Sequence, residues 1–172
     1  MKRCTWFLFA VVTVAGLVAL IVPVSGQADG QSAPYVTEIP KGYREWKWIS
    51  SAHEAGKLNS IGALLGNDIA FDAFRKGTLP YPDGTMLAAL HYRYVPSAEN
   101  NKIFGQAQSF VPGAPTNVQF MVKDSKKYAA TGGWGFGHFA DGKAGDAAFM
   151  KSCFPCHEKA KATDLVFTRY AP

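Results

Sequence analysis

Cys153-Phe154-Pro155-Cys156-His157 place two thiols and an imidazole within five residues, near the C-terminal end of a 172-residue chain. Thiols at this CxxCH spacing can each add across a haem vinyl group, and the adjacent imidazole can then ligate the iron. The run predicts a covalently held haem c, with Cys153 and Cys156 as attachment points and His157 as the proximal metal ligand. A Cys153–Cys156 disulfide is the competing reading. Such a bridge closes too short a loop to constrain the unfolded chain much, and it leaves His157 without a role. The remaining cysteine, Cys4, sits in a charged N-terminal start and takes no part.

A haem iron also has a sixth coordination position. The tail after His157 contains neither methionine nor histidine, so any protein ligand there must come from upstream. Met150 is too close along the same helix to reach over a haem, and Met86 and Met121 read as apolar strand residues that pack in a core. The position of the motif therefore argues against an ordinary electron carrier, and the strand patterning argues against a four-helix bundle.

The N-terminal segment bears on where such chemistry takes place. Met1-Lys2-Arg3 precede an apolar run from Trp6 to Val24 and a small-residue exit at Val24, Ser25 and Gly26. Those are the parts of a secretory signal over 1–26, which implies a periplasmic protein; an uncleaved membrane anchor is the alternative. Residues 27–41 are rich in Gly, Ser, Ala and Pro and read as a flexible lead-in to a domain over 42–172. Apolar content of 48% and aromatic content of 13% suffice for a packed core. The formal charge of +5 becomes +3 once Lys2 and Arg3 leave, and no basic run is present, which excludes nucleic acid as a partner.

The elements that must position the motif are mainly strands. Alternation predicts strands over 45–49, within 58–69 and over 85–95, with a short helix over 70–76 between the last two. Two further strands are expected over 103–111 and 117–122, joined by a Pro-Gly turn at 112–115, then a short helix over 124–130. Trp134, Phe136 and His138 share one face of the next strand; Gly135, Gly137 and Phe139 occupy the other, where glycine permits close approach of a backbone or flat ligand. A helix over 146–161 carries the motif. The resulting class is α+β: a mainly antiparallel β-sheet with a few short helices and a C-terminal helix bearing CxxCH.

Several strings beyond the motif carry a likeness. They are Tyr43-Arg44-Glu45-Trp46, Asp83-Gly84-Thr85, Val122-Lys123-Asp124-Ser125-Lys126 and Trp134-Gly135-Phe136. The strongest is Cys153 to His157 followed at fixed spacing by Thr163-Asp164-Leu165-Val166-Phe167-Thr168-Arg169-Tyr170. From Gly42 onward the chain resembles the cytochrome P-460 family, which includes the cytochromes c prime-beta. The resemblance implies an antiparallel sheet, a haem c open on its distal side and frequent dimers, so a homodimer is expected. It also implies either hydroxylamine oxidation, which needs a redox partner protein, or binding of a small gas.

In the oxidising members a strand lysine is linked to the porphyrin and a distal glutamate is suggested to handle protons. By alignment the lysine position falls at Ala89 and the glutamate position at Gln119. Alanine has no amine to form the crosslink, and glutamine can hydrogen-bond a ligand but is a poor base. His91 lies two residues beyond Ala89, hence on the same face of a regular strand. There it could hydrogen-bond a ligand, act as acid or base, or ligate iron; a rim histidine bonded to tyrosine or solvent is the alternative. His138 reads as packed and His53 as an exposed loop residue. Arg44, Lys159, Lys161 and Arg169 are candidate partners for haem propionates. Together these point to a haem protein that binds or transforms a small nitrogen or oxygen species such as NO, hydroxylamine or peroxide. Gas binding without turnover and electron transfer with His91 as sixth ligand are the rivals.

Overall fold

The computed structural model describes residues 35–171; the signal expected over 1–26 and most of the expected lead-in lie outside the described residues. Six strands form one antiparallel sheet in simple chain order: β1 Lys47–Glu54, β2 Ser60–Gly66, β3 Met86–Pro96, β4 Phe110–Lys123, β5 Trp134–Ala140 and β6 Lys143–Ala144. Each strand pairs with its sequence neighbour, as short connections favour. The helices are α1 Asp68–Lys76, α2 Ala98–Phe104, α3 Ala147–Lys151 and α4 Cys153–His157. Among the described residues no helix is long and apolar enough to cross a membrane.

Period-2 alternation on β3 decides what each face buries. Leu87, Ala89 and His91 point one way, while Ala88 and Leu90, both buried, point the other. On the second face Ala88, Leu90, Phe120 and Phe139 pack with Val36 and with partly buried Tyr43 and Trp46. The described end of the lead-in is thus packed from Tyr35, which bridges Phe136, with the Val36 N–H donating to the Phe136 carbonyl at 2.7 Å. On the first face Leu87, Met121, Trp134 and Phe136 pack with Ile49, Phe74 of α1, and Leu165 and Val166 of the C-terminal segment. Asn67 caps α1 through a bond from the Ala70 N–H, and Gly77 ends it in the left-handed region.

Four local expectations give way to tertiary context. The strand expected over 103–111 survives only at 110–111, the start of β4; 103–104 end α2, which Ser97 starts by accepting the Asn100 N–H at 3.2 Å, and 105–109 form a loop. The Pro-Gly turn at 112–115 is instead the interior of β4, tolerated because register shifts leave Pro112 and Pro115 opposite Tyr94 and Tyr92 at irregular positions. The helix over 124–130 is reduced to a turn and one short 3-10 turn, Ala129–Thr131. Asp124 there accepts the N–H groups of Lys126 and Lys127, satisfying them locally. The helix over 146–161 is broken into α3, α4 and a kinked 3-10 segment, Glu158–Thr163. On β5, what approaches the glycines is protein: the Tyr128 ring lies over Gly135, and Val36 lies over Gly137.

Candidate functional site

The first face of the sheet is left uncovered over its middle, and the C-terminal segment closes it from above. A cavity of about 560 Å³ results, within the range of small-molecule and cofactor sites. Its lining brings Cys153, Cys156 and His157 together with Ala89, His91 and Gln119.

The C-terminal wall is built by α4. Asp146 caps α3 by accepting the Phe149 N–H at 2.8 Å, and α4 follows after Ser152. Cys153 and Cys156, one helical turn apart, fall on one side of α4, and both are free thiols. Burial pushes the Cys153 thiol up, aided by its neighbour Cys156. The His157 ring lies between Phe136 and Phe167, with centroids 5.0 and 4.8 Å away. Its Nδ1 lies 2.8 Å from the Leu165 carbonyl oxygen, which fixes the proton on Nδ1 and leaves Nε2 with its lone pair. Burial holds this imidazole below its ordinary pKa, the bond to Leu165 opposing it.

That carbonyl is placed by Asp164 and Leu165, two consecutive left-handed residues with φ of 48° and 67°. Non-glycine residues adopt this conformation at a cost of about 1 kcal/mol or more, so something must hold it. Both Asp164 carboxylate oxygens lie 2.9 Å from Lys123 Nζ, and Oδ2 accepts the Tyr81 N–H at 2.9 Å. Lys123 also donates to the Gly132 carbonyl at 3.0 Å and lies over the Trp134 ring. The side chains of this pair are only 7% and 14% exposed. Burial, with Asp164 adding to it, pushes the Tyr81 hydroxyl up to about 12. Asp83 ties the same corner together by accepting the Ser125 N–H and hydroxyl at 2.8 and 2.7 Å. The strings Asp83-Gly84-Thr85, Val122 to Lys126 and Thr163 to Tyr170 are therefore parts of one clamp on His157.

The sheet supplies the opposite wall. Ala89 stands directly across from Gln119 on β4 and Leu64 on β2, and Gln119 across from His138 on β5. Gln119 Nε2 donates to Asn117 Oδ1 at 3.2 Å, Asn117 Nδ2 to Thr116 Oγ1 at 3.3 Å, and the Thr116 hydroxyl to the His91 carbonyl at 3.1 Å. His91 lies beside Gly62, where a Cβ would stand 3.6 Å from Nδ1. Ser60 Oγ is 3.4 Å from that nitrogen and Glu54 Oε2 is 3.8 Å away. Burial holds His91 below the ordinary histidine pKa, with Glu54 opposing.

Other residues fall elsewhere. The His138 ring packs on Phe149 at 4.4 Å, and burial, then the charge of His91, lowers its pKa. His53 is on β1, not in a loop, and stacks on Tyr94 at 3.9 Å. Met121 joins the core beside Leu87 and also reaches the cavity wall, while Met150 is buried away from it. Arg44 belongs to a second cavity on the opposite face, and Lys159, Lys161 and Arg169 do not line the first. The cations that do are Lys57 and Arg93, which the sequence alone did not single out. Ser60, Glu54 and Asn117 were missed as well. The only signal was hairpin register: once β1 and β2 are paired, Glu54 faces Ser60 and Ser60 faces Arg93.

The donor chemistry fits a haem. Two thiols and one imidazole nitrogen open on one cavity, across which Ala89 and Gly62 keep the facing wall low. A family model for cytochrome P-460 matches residues 40–168, which takes in the whole sheet and the CxxCH run. No curated protein sequence matches the chain.

Proposed function

The chain belongs to the cytochrome P-460 family, and from that premise we propose that it is an exported mono-haem c protein that binds or transforms a small nitrogen or oxygen species. Cys153 and Cys156 would hold the haem through thioethers, and His157 would ligate the iron through Nε2. The observation that carries the reading is that these three groups open on the same cavity as Ala89, His91 and Gln119. When bound, haem iron would supply a site for a small ligand and one-electron redox chemistry.

The chain's own residues define the rest. The Asp164 clamp fixes the Leu165 carbonyl, which orients the His157 ring and strengthens it as a donor. Ala89 offers no amine for a porphyrin crosslink, and Gln119, tied to Asn117, offers an amide in place of a carboxylate. His91, whose pKa burial lowers, stands on the same face as Ala89 and could take a proton from a bound ligand. Lys57 and Arg93 place positive charge at the cavity, as propionate groups would require. The pattern over 1–26 supports export to the periplasm.

Turnover separates the two readings of the site. Repeated oxidation of hydroxylamine with an electron acceptor, lost in His91→Ala, supports an enzyme. Stoichiometric NO binding without turnover makes the protein a gas binder. Failure to bind either ligand overturns the proposal.

A further inference from the structure

The proton-handling carboxylate missing at Gln119 has a counterpart elsewhere on the same wall. Ser60 is buried, its hydroxyl 3.3 Å from Glu54 Oε2 and its oxygen 3.4 Å from His91 Nδ1. Only one arrangement of hydrogens satisfies both contacts with an ionised Glu54. Nδ1–H of His91 donates to Ser60 Oγ, and the Ser60 hydroxyl donates to the carboxylate. The ring nitrogens point in roughly opposite directions, and among the described residues no hydrogen bond engages Nε2. Nε2, on a residue that lines the cavity, is thereby left as a lone-pair acceptor.

We propose that Glu54 and Ser60 are positioning residues that set the His91 tautomer and connect it to solvent, making Glu54–Ser60–His91 a proton relay for the cavity. The inference rests on the reading of this cavity as a haem site. One proton is taken up at Nε2 from a ligand, the Nδ1 proton passes to Ser60 Oγ, and the Ser60 proton passes to Glu54. No electrons move; Glu54 gives its proton to water, and the ring, left as the Nε2–H tautomer, regains its starting form by losing the Nε2 proton to water and taking one from water at Nδ1. Three strands converge to build this relay. Glu54 closes β1 opposite Ser60 at the start of β2, and His91 of β3 sits across from Gly62, two residues on. Glu54, 46% exposed in its side chain, is the solvent end, and His91, 14% exposed, is the inner end. Charged or titratable groups around the ring are Glu54 on β1, Lys57 in the β1–β2 turn, Arg93 on β3 and His138 on β5. Burial favours the neutral ring, so a tautomer is defined at neutral pH.

The test is the tautomer itself, read by long-range proton–nitrogen NMR of histidine-labelled haem protein, reduced and held under CO. A six-coordinate ferrous haem is diamagnetic whether the sixth ligand is CO or a side chain, so the reading survives failure of the open site. That failure shows separately as a Soret band indifferent to CO. The wild type is expected to hold His91 as Nδ1–H, against the Nε2–H form favoured by free imidazole side chains. Ser60→Ala, and independently Glu54→Gln, should return at least half of the population to Nε2–H. Nε2–H in the wild type, or Nδ1–H unchanged in both variants, overturns the relay. Glu54→Gln lies at a half-exposed strand end and keeps the test valid should Ser60→Ala fold poorly.

Discussion

Asp164→Asn is the substitution that bears most directly on how the fold serves the site. Asp164 receives two 2.9 Å contacts from Lys123 Nζ and the Tyr81 N–H, and it holds a left-handed conformation that aims Leu165 at His157. The amide keeps the shape and one acceptor but removes the charge, leaving Lys123, 7% exposed, with the Gly132 carbonyl and the Trp134 ring. Breaking a buried pair from one side costs about 3–5 kcal/mol. The surviving acceptor and the cation–π contact, the latter worth about 1 kcal/mol, put the expected loss at about 3 kcal/mol. For a domain of this size that is a fall in Tm of roughly 10 °C. Thermal unfolding followed by far-UV circular dichroism measures it. Lys123→Met with Asp164→Asn should recover part of the loss, because it removes the uncompensated charge while asparagine keeps an acceptor for the Tyr81 N–H and tolerates the left-handed conformation. A loss below about 1 kcal/mol, or a double variant worse than Asp164→Asn, would refute the clamp.

Other outcomes follow from the same geometry. A Cβ at Gly135 would lie 2.3 Å from Tyr128 Cζ, so Gly135→Ala should cost about 2–3 kcal/mol by overpacking, checked by denaturant midpoint. Folded-state pKa values of His91 and His138 are both depressed. The unfolded chain therefore takes up protons first as pH falls below about 6.5, and stability is lost on acidification through that point and down to the folded values. His91→Gln should make the slope of Tm against pH shallower between about pH 6.5 and 5. Mass analysis of the haem peptide should find haem on the segment holding Cys153 and Cys156 and on no other peptide; a second attached peptide would show a crosslink despite Ala89.

The parts of this account that could be read from sequence are the local ones. Alternation on 85–95 separates the two faces of β3 correctly, and CxxCH followed by Thr163 to Arg169 marks the segment that forms one wall of the cavity. Ala89 and Gln119, chosen from alignment to separate motifs, turn out to be direct cross-strand partners. What sequence could not show depends on register between distant strands. Pro112 and Pro115 look like turn residues until the irregular pairing with β3 makes them strand residues. Ser60 and Glu54 gain meaning only when the β1–β2 hairpin is laid beside His91. Lys57 and Arg93, isolated cations in sequence, reach the cavity for the same reason, whereas the cations nearest the motif stay outside it.

The central claim is that Cys153, Cys156 and His157 would hold a haem c in the cavity that Ala89, His91 and Gln119 also line, leaving room there for a small ligand. The most direct measurement is the absorption spectrum of the reduced protein before and after CO. The account predicts a high-spin reduced spectrum that shifts at once, within mixing, to a low-spin CO form with a sharpened Soret band. A low-spin reduced spectrum that ignores CO would contradict it, and would mean that a side chain already fills the position.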